Sequence, residues 1–312
     1  MTKRQIAYIL TNMEKILPKI IAIEGPTGSG KSDLAVLLAQ KFNGEIISAD
    51  SRQVYKGLDI TTGKITKKEM KGIAHHLLSI AEPMDQYTVS HFKIDAEKVI
   101  NEILSRGKLP VLCGGTAQYI DAVTENLIAP KTPPNEKLRR ALETKSVNEL
   151  FDELKKIDPI RAETIDPHNP RRLVRALEIA LSQGSVPKIP DVPKKYDALK
   201  IAIAIEKETL RARIEKRVQN RLDQGMIEET KKLHENGLAF ERMKDLGLEY
   251  RFLAEYLEGK ITKEKMKEEI FFKDWQYAKR QMTWLKRDTK IHWFPLSEEN
   301  EIIALVKNFL EK

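Results

Sequence analysis

The octapeptide Gly25-Pro26-Thr27-Gly28-Ser29-Gly30-Lys31-Ser32 contains the residue types that hold two linked phosphates. Its glycines let the backbone curl so that successive N–H groups point inward, and a helix starting at its end adds a positive terminus. Lys31 can reach the outer phosphate oxygens, and the Ser32 hydroxyl is placed to hold a divalent ion. The loop recognises phosphates and leaves open what hangs from them. A second chemical group is Asp50, at the end of the apolar stretch Glu45-Ile46-Ile47-Ser48-Ala49. Its carboxylate can serve metal or proton chemistry in a crevice, or it can cap the turn that follows. A third is Gly114-Gly115-Thr116, where two glycines permit close approach by a ligand or another backbone and Thr116 alone offers a hydrogen-bonding side chain.

The elements that must position these groups follow from hydrophobic period. An apolar run, Ile20 to Ile23 within a strand from Lys19 to Glu24, enters the loop, and Leu34, Leu37, Leu38 and Phe42 repeat at helical spacing behind it. A second strand ends at Asp50. The pair His75-His76 precedes Leu77-Leu78-Ser79-Ile80, which reads as a third strand. Neighbours on a strand face opposite ways, so the two histidines cannot chelate one metal, and one packed and one hydrogen-bonded imidazole is expected. Ala96, Val99, Ile100, Ile103 and Leu104 mark a helix closed at Gly107, and Leu109 to Cys113 is a further strand. This order defines an α/β protein: a parallel sheet of the P-loop NTPase-like kind, covered by helices on both faces. Ligands of such sheets lie at the carboxyl ends of the strands, so Asp50 and the loop should share a crevice.

The character changes at Pro130-Lys131-Thr132-Pro133-Pro134, after which the pattern is helical to about Gly184. The expected organisation is an extension over residues 1–18, a core of 19–130 and 186–312, and an all-helical insertion of 131–185. Within the insertion, Arg171, Arg172 and Arg175 open a helix, against the preference of the helix dipole for acidic groups at that end. A solvated face tolerates this, and a phosphate backbone would offset it. After a strand at Leu199 to Ile205, a long helix carries Leu210, Ile214, Val218 and Leu222 on one stripe and Arg213, Arg217 and Arg221 on another. Any of the three arginines could clamp a diphosphate, or all could form a solvated basic face. Lys279-Arg280-Gln281-Met282-Thr283-Trp284-Leu285-Lys286-Arg287 interleaves cations with an aromatic that suits either core or nucleic acid. His292-Trp293-Phe294 reads as a last strand, with a closing helix from Glu298.

Composition narrows the classes. The chain has 312 residues, 41% hydrophobic and 32% charged, enough for one large domain and a lobe. No apolar stretch suits a membrane span or a signal peptide, so a cytoplasmic protein is expected. The single cysteine, Cys113, excludes an intrachain disulfide or a cysteine zinc framework and reads as a small buried side chain. The net charge of +8 agrees with a polyanionic partner. No exposed apolar stripe argues for a dimer, so a monomer is expected.

Taken together, the phosphate loop, Ser48-Ala49-Asp50-Ser51-Arg52-Gln53-Val54-Tyr55, His75-His76-Leu77, Gly114-Gly115-Thr116, Arg171 to Glu178, Arg213-Ile214-Glu215-Lys216-Arg217 and Lys279 to Trp284 resemble the successive motifs of bacterial tRNA dimethylallyltransferases. The resemblance runs from Lys19 to Phe294. It implies transfer of a dimethylallyl group from dimethylallyl diphosphate to N6 of adenosine 37, just 3′ of the anticodon in the tRNA anticodon loop, with magnesium held through Ser32. It further implies that Asp50, Lys31, Thr116 and Arg217 carry the chemistry, and that Gly25 to Ser32 with Arg213 and Arg217 hold the donor. Asp50, Ser51, Arg52, Gln53, Thr116, Arg139, Arg171, Arg172, Leu173, Val174, Arg175 and Gln281 would touch tRNA. Three stretches depart from the pattern: Thr61-Thr62-Gly63-Lys64 in place of Gly-Thr-Ala-Lys, Ala117-Gln118-Tyr119 in place of Gly-Leu-Tyr, and Leu246-Gly247-Leu248-Glu249-Tyr250-Arg251 in place of Ile-Gly-Tyr-Lys. The rival readings are a nucleoside-triphosphate-dependent kinase, a prenyltransferase of free adenine nucleotide, and a non-catalytic RNA-binding protein.

Overall fold

The structure is a computed structural model that describes residues 16–312 apart from 129, 131, 189 and 191. Most of the expected amino-terminal extension therefore lies outside the described residues. Two compact units are present: Leu127–Pro193, and the rest of the chain on either side of it.

The larger unit is built on a parallel sheet of six strands in the order β3-β2-β4-β1-β5-β6. These are β1 (Lys19–Glu24), β2 (Gly44–Ser48), β3 (His75–His76), β4 (Leu109–Gly114), β5 (Asp197–Ile203) and β6 (His292–Phe294). Strand period two divides β1 between two cores. Ile21 and Ile23 face α1 (Lys31–Lys41) and α13 (Glu299–Glu311), packing with Leu34, Leu38, Ile302 and Val306. Ile20 and Ala22 face the opposite way, toward Phe92, Ile100 and Ile103 of α2 (Val89–Ser105) and Tyr119, Ile120 and Val123 of α3 (Ala117–Thr124). The chain leaves β1 through α1 on one face and leaves β4 through α3 on the other. The crevice that opens where connections part in this way lies between β1 and β4, at their carboxyl ends.

The third strand is His75–His76, pairing with Ile46 and Ile47, and does not extend over Leu77–Ile80. Leu77 and Ser79 have φ of 61° and 52°, which turns the chain out of the extended conformation. Both imidazoles are hydrogen-bonded, where one was expected to be: His75 Nδ1 lies 2.9 Å from the Ile73 carbonyl and His76 Nε2 2.7 Å from Glu45 Oε2.

Unit Leu127–Pro193 contains α4 (Glu136–Glu143), α5 (Val147–Ile157), α6 (Pro159–Thr164) and α7 (Pro170–Gln183) around Leu142, Leu150, Leu154, Leu173 and Leu177. Its helix starts are written locally. Asn135 accepts from Leu138 N–H, Ser146 and Glu149 form a capping box, and Asp158 and Asn169 cap helices whose first residue is proline.

Beneath the sheet's carboxyl edge lies a buried ionic group. Lys200 is 3% exposed and pairs with Asp121 at 3.0 Å, Glu125 at 3.4 Å and Asp288 at 2.9 Å. Glu24, 1% exposed, has a carboxylate oxygen with no partner. Burial pushes its pKa up to about 8, against the opposing attraction of Lys200, with Asp121 and Asp288 adding to the rise. A folded-state pKa above the unfolded value means that the native chain keeps a proton the unfolded chain releases. This group's contribution to stability therefore declines as pH rises from about 4.5 to about 8 and is flat above that. Glu24→Gln should remove this share of the pH slope, raising stability at pH 8 relative to pH 5 by roughly 1–3 kcal/mol more than in the native protein, as read by urea unfolding at the two pH values.

Candidate active site

Gly30 caps α1 with φ 96°, a left-handed conformation that turns the loop's amides inward ahead of the helix's positive end. Lys31 folds back to the Pro26 carbonyl at 3.4 Å, and burial lowers its pKa. Cys113, 8% exposed, donates to the Lys31 carbonyl at 3.6 Å, and burial pushes its thiol up to about 11, so it packs as an inert side chain. Ser32 stands exposed in the first turn of α1.

The three arginines of α8 (Lys207–Asp223) have different partners. Arg213 donates to the Ser29 carbonyl at 3.3 Å. Arg217 donates to Thr27 Oγ1 at 2.9 Å and to the carbonyls of Thr62 and Gly63 at 3.3 Å. Burial and the neighbouring Arg221 lower its pKa, and it forms no ion pair with a carboxylate among the described residues. Arg221 turns away from the loop: it is 5% exposed and pairs with Glu249 at 2.7 Å and Asp274 at 3.3 Å, while donating to the Thr61 carbonyl at 2.6 Å. Arg213 and Arg217 are thus at the loop, and Arg221 is a strut behind them. The departure at Thr61-Thr62-Gly63-Lys64 has a local meaning here. Gly63, with φ 58°, lets Arg217 approach so closely that a side chain at 63 would overlap its guanidinium.

Asp50 follows β2. Its Oδ1 accepts from the Arg52 N–H at 2.9 Å and the Gln53 N–H at 3.3 Å, while Oδ2 has no partner among the described residues. The residue is therefore both the cap of its turn and a carboxylate with a spare oxygen, half-exposed at the sheet's carboxyl edge. Its charge acts on both Lys31 and Arg217. Gly114 is required by the closeness of this edge, because a Cβ there would overlap the Ala49 carbonyl. Thr116 Oγ1 accepts from the Ser51 N–H at 3.1 Å. Gln53 Nε2 reaches the Gly63 carbonyl at 3.3 Å, and Arg52 Nη1 donates to the Ser51 carbonyl at 3.3 Å.

Five residues expected to contact RNA already have partners or core positions within the chain. Gln281, on α12 (Lys263–Leu285), is 6% exposed and spans the crevice: it accepts from the Thr27 N–H at 3.0 Å and donates to the Gly115 carbonyl at 2.7 Å. It ties the two loops together and is not an outward contact. Leu173 and Val174, 0% and 6% exposed, belong to the core of unit Leu127–Pro193. In that unit Arg175 is committed to Glu178 and the Thr132 carbonyl. Arg139 also grips Glu178, with Nε at 2.9 Å and Nη2 at 3.0 Å, so its guanidinium is half-buried in the unit's own ion pair. Arg171 and Arg172 are exposed.

Tyr277, Asp274, Glu249 and Glu229 were missed in the sequence. Tyr277 lies close to Thr116 and Asp50, and burial and the Asp50 charge push its pKa up to about 12. The signal was present: Asp274, Tyr277 and Gln281 interrupt the stripe Ile270, Ala278, Leu285 at intervals of three and four, which puts polar groups on the buried face of a helix. Trp284, 37% exposed, donates to Asp121 Oδ2 at 3.0 Å, with Arg287 6.0 Å from its ring centroid. A cavity of about 500 Å³ lined by Ile16, Phe42, Leu104 and Leu109 lies at the opposite, amino-terminal edge of the sheet and shares none of these groups.

A strand–loop–helix phosphate cradle on a parallel sheet makes this a P-loop-like α/β protein. Comparison with known proteins narrows the class. A sequence model of the family described as IPP transferase matches residues 53–288. The chain is 41% identical over 301 residues to the tRNA dimethylallyltransferase of Anoxybacillus flavithermus, covering 93% of this chain and 96% of that one. It is 38% identical over 304 residues to that of Halalkalibacterium halodurans, covering 94% and 96%. The solved full-length tRNA isopentenylpyrophosphate transferase of Bacillus halodurans superposes with a TM-score of 0.72 at 37% identity, covering 94% of this chain and 97% of that one. A eukaryotic dimethylallyltransferase captured acting on tRNA gives a TM-score of 0.80 at 30% identity, covering 94% and 80%. The chain belongs to the IPP transferase family.

Arg221→Met should destabilise the fold by about 3–5 kcal/mol in urea unfolding, because it leaves Glu249 and Asp274 buried without their cation. A loss under about 1 kcal/mol would mean that the strut is dispensable.

Proposed function

We propose that this protein transfers a dimethylallyl group from dimethylallyl diphosphate to N6 of adenosine 37 in tRNA, acting as a cytoplasmic monomer. One observation carries the reading. Lys31 and Arg217 are both drawn to one phosphate loop with their pKa values lowered by burial, and neither is neutralised by a paired carboxylate. Cations kept desolvated and unpaired await an anion from outside the chain. A diphosphate supplies it.

Asp50 supplies the other half. An exocyclic aromatic amine is a poor nucleophile because its lone pair is shared with the ring, so its proton must leave as the new bond forms. In the proposed step the N6–C bond forms while the C–O bond to the diphosphate breaks. The N6 proton passes to the free Oδ2 of Asp50, whose other oxygen is fixed by two backbone N–H groups. Loop amides, Lys31, Arg213 and Arg217 take up the charge on the departing diphosphate, a role in which fixed donors contribute several kcal/mol. In this reading Thr116, Ser51, Arg52 and Gln53 would contact the incoming adenosine, and bringing adenine out of a stacked loop costs roughly a few kcal/mol. Phosphate-backbone contacts by the exposed Arg171 and Arg172 would offset that cost.

Magnesium belongs to the same reading. Among the described residues no cluster of three or more His, Cys, Asp or Glu side chains is arranged for a metal, so an ion here would depend on diphosphate oxygens and water as well as protein. The exposed Ser32 hydroxyl is a hard oxygen donor suited to that arrangement. When bound, the ion would neutralise leaving-group charge.

Nucleoside mass spectrometry of tRNA incubated with the protein and dimethylallyl diphosphate should show a gain of one dimethylallyl group on adenosine. Label taken up from ATP instead would establish the kinase reading. Asp50→Asn should lower the transfer rate by about 10²–10⁴-fold with tRNA affinity within about twofold of native. Affinity for tRNA should fall steeply with salt, and Arg171→Ala and Arg172→Ala should each reduce the slope of log K against log salt by about one. An unchanged slope removes the insertion from the RNA interface.

A further inference from the structure

Arg217 is aimed at the phosphate loop by groups that themselves need holding. Its guanidinium rests on the carbonyls of Thr62 and Gly63, and Arg221 holds the carbonyl of Thr61. The preceding amides face the other way. The N–H groups of Asp59 and Ile60 donate to Glu229 Oε2 at 3.0 and 2.7 Å, and that of Thr61 donates to Glu229 Oε1 at 2.9 Å. Three successive amides converging on one carboxylate form a nest with the ligand supplied by the chain itself. Glu229 lies on α9 (Met226–Glu235), is half-buried, and receives a fourth bond from the Tyr250 hydroxyl at 3.3 Å. The far end of the segment is pinned by Lys64, which donates to the Tyr55 carbonyl and Ser79 Oγ, each at 2.7 Å.

We infer that Glu229 is a positioning residue for transfer: by fixing the peptide planes of residues 59–61 it directs the following carbonyls at Arg217, and so holds an unneutralised guanidinium against Thr27 of the loop. The proposal rests on the reading of Arg217 as a diphosphate ligand. Glu229 has no bond to the phosphate loop; its route to Arg217 is the segment 59–63, which supplies three of its four bonds. The physical reason for the arrangement is charge. A carboxylate placed directly on Arg217 would neutralise the cation and compete with the donor, whereas carbonyl dipoles orient it and leave its charge available.

The test is a double-mutant cycle on the full chain with Glu229→Gln, Arg217→Ala and the pair, reading the affinity for inorganic diphosphate with magnesium by calorimetry and the single-turnover transfer rate. Glu229→Gln should cut both about ten- to hundredfold while tRNA affinity stays within about twofold. In the Arg217→Ala background it should add nothing beyond about twofold. Full additivity would overturn the positioning role while leaving Arg217 as a ligand. If Arg217→Ala itself leaves diphosphate affinity unchanged, the reading of the donor site falls, and this proposal with it. A second measurement needs no variant at Glu229. By linkage, saturating diphosphate should slow hydrogen exchange of the Asp59, Ile60 and Thr61 amides in the native protein and not in Arg217→Ala. Unchanged exchange in the native protein would overturn the proposal even if Glu229→Gln fails to fold.

Discussion

The larger unit is arranged around one electrostatic constraint: the cations beside the phosphate loop must be held in place without being neutralised. A guanidinium that meets a carboxylate is well fixed and no longer available to an anion. The chain resolves this by separating two arginines one helical turn apart on α8. Arg221 takes both buried carboxylates, Glu249 and Asp274, while Arg217 is oriented by hydroxyl and carbonyl dipoles. Burial, and the neighbouring Arg221 guanidinium after it, disfavour the charge on Arg217 and lower its pKa. The cost is concentrated in Asp274, which burial and Glu249 push well above the usual carboxylate range.

Such a device works only if the loop is itself immobile, and the sheet supplies that. β1 pairs with β4 on one side and β5 on the other, so the strand that carries the loop is central. Gln281 then locks the crevice from above with one amide group on each flank, Thr27 and Gly115. A side chain that serves two loops at once fixes the separation of the loop after β1 from the loop after β4, whose Thr116 in turn accepts from the Ser51 N–H beside Asp50.

How much of this could be read from sequence follows the range of the interactions. The phosphate loop, the strand before it and the helix behind it are local and regular, and the structure reproduces them. The caps at Ser146, Asp158 and Asn169 and the buried Cys113 are equally local. The sequence misled where a backbone turn overrode an apolar pattern, as at Leu77–Ile80, whose positive φ values have no apolar or polar signature. It was silent where the deciding partner is far along the chain. Nothing near Gln281 says that its amide will meet residue 27, and nothing near Glu229 says that it will receive three amides from residues 59–61.

The same distinction governs the basic residues, which composition reports only as a sum of +8. A cation's role is set by whether the fold has already given it a carboxylate. Arg139 and Arg175 both close on Glu178, a buried acid that would be costly alone, so two of the arginines that sequence assigned to RNA first serve to assemble the insertion. Arg171 and Arg172 begin α7 on the exposed side, where the helix dipole disfavours them and no carboxylate is paired with them among the described residues. Positive charge without a paired carboxylate, kept where the fold disfavours it, is also the pattern seen at Arg217.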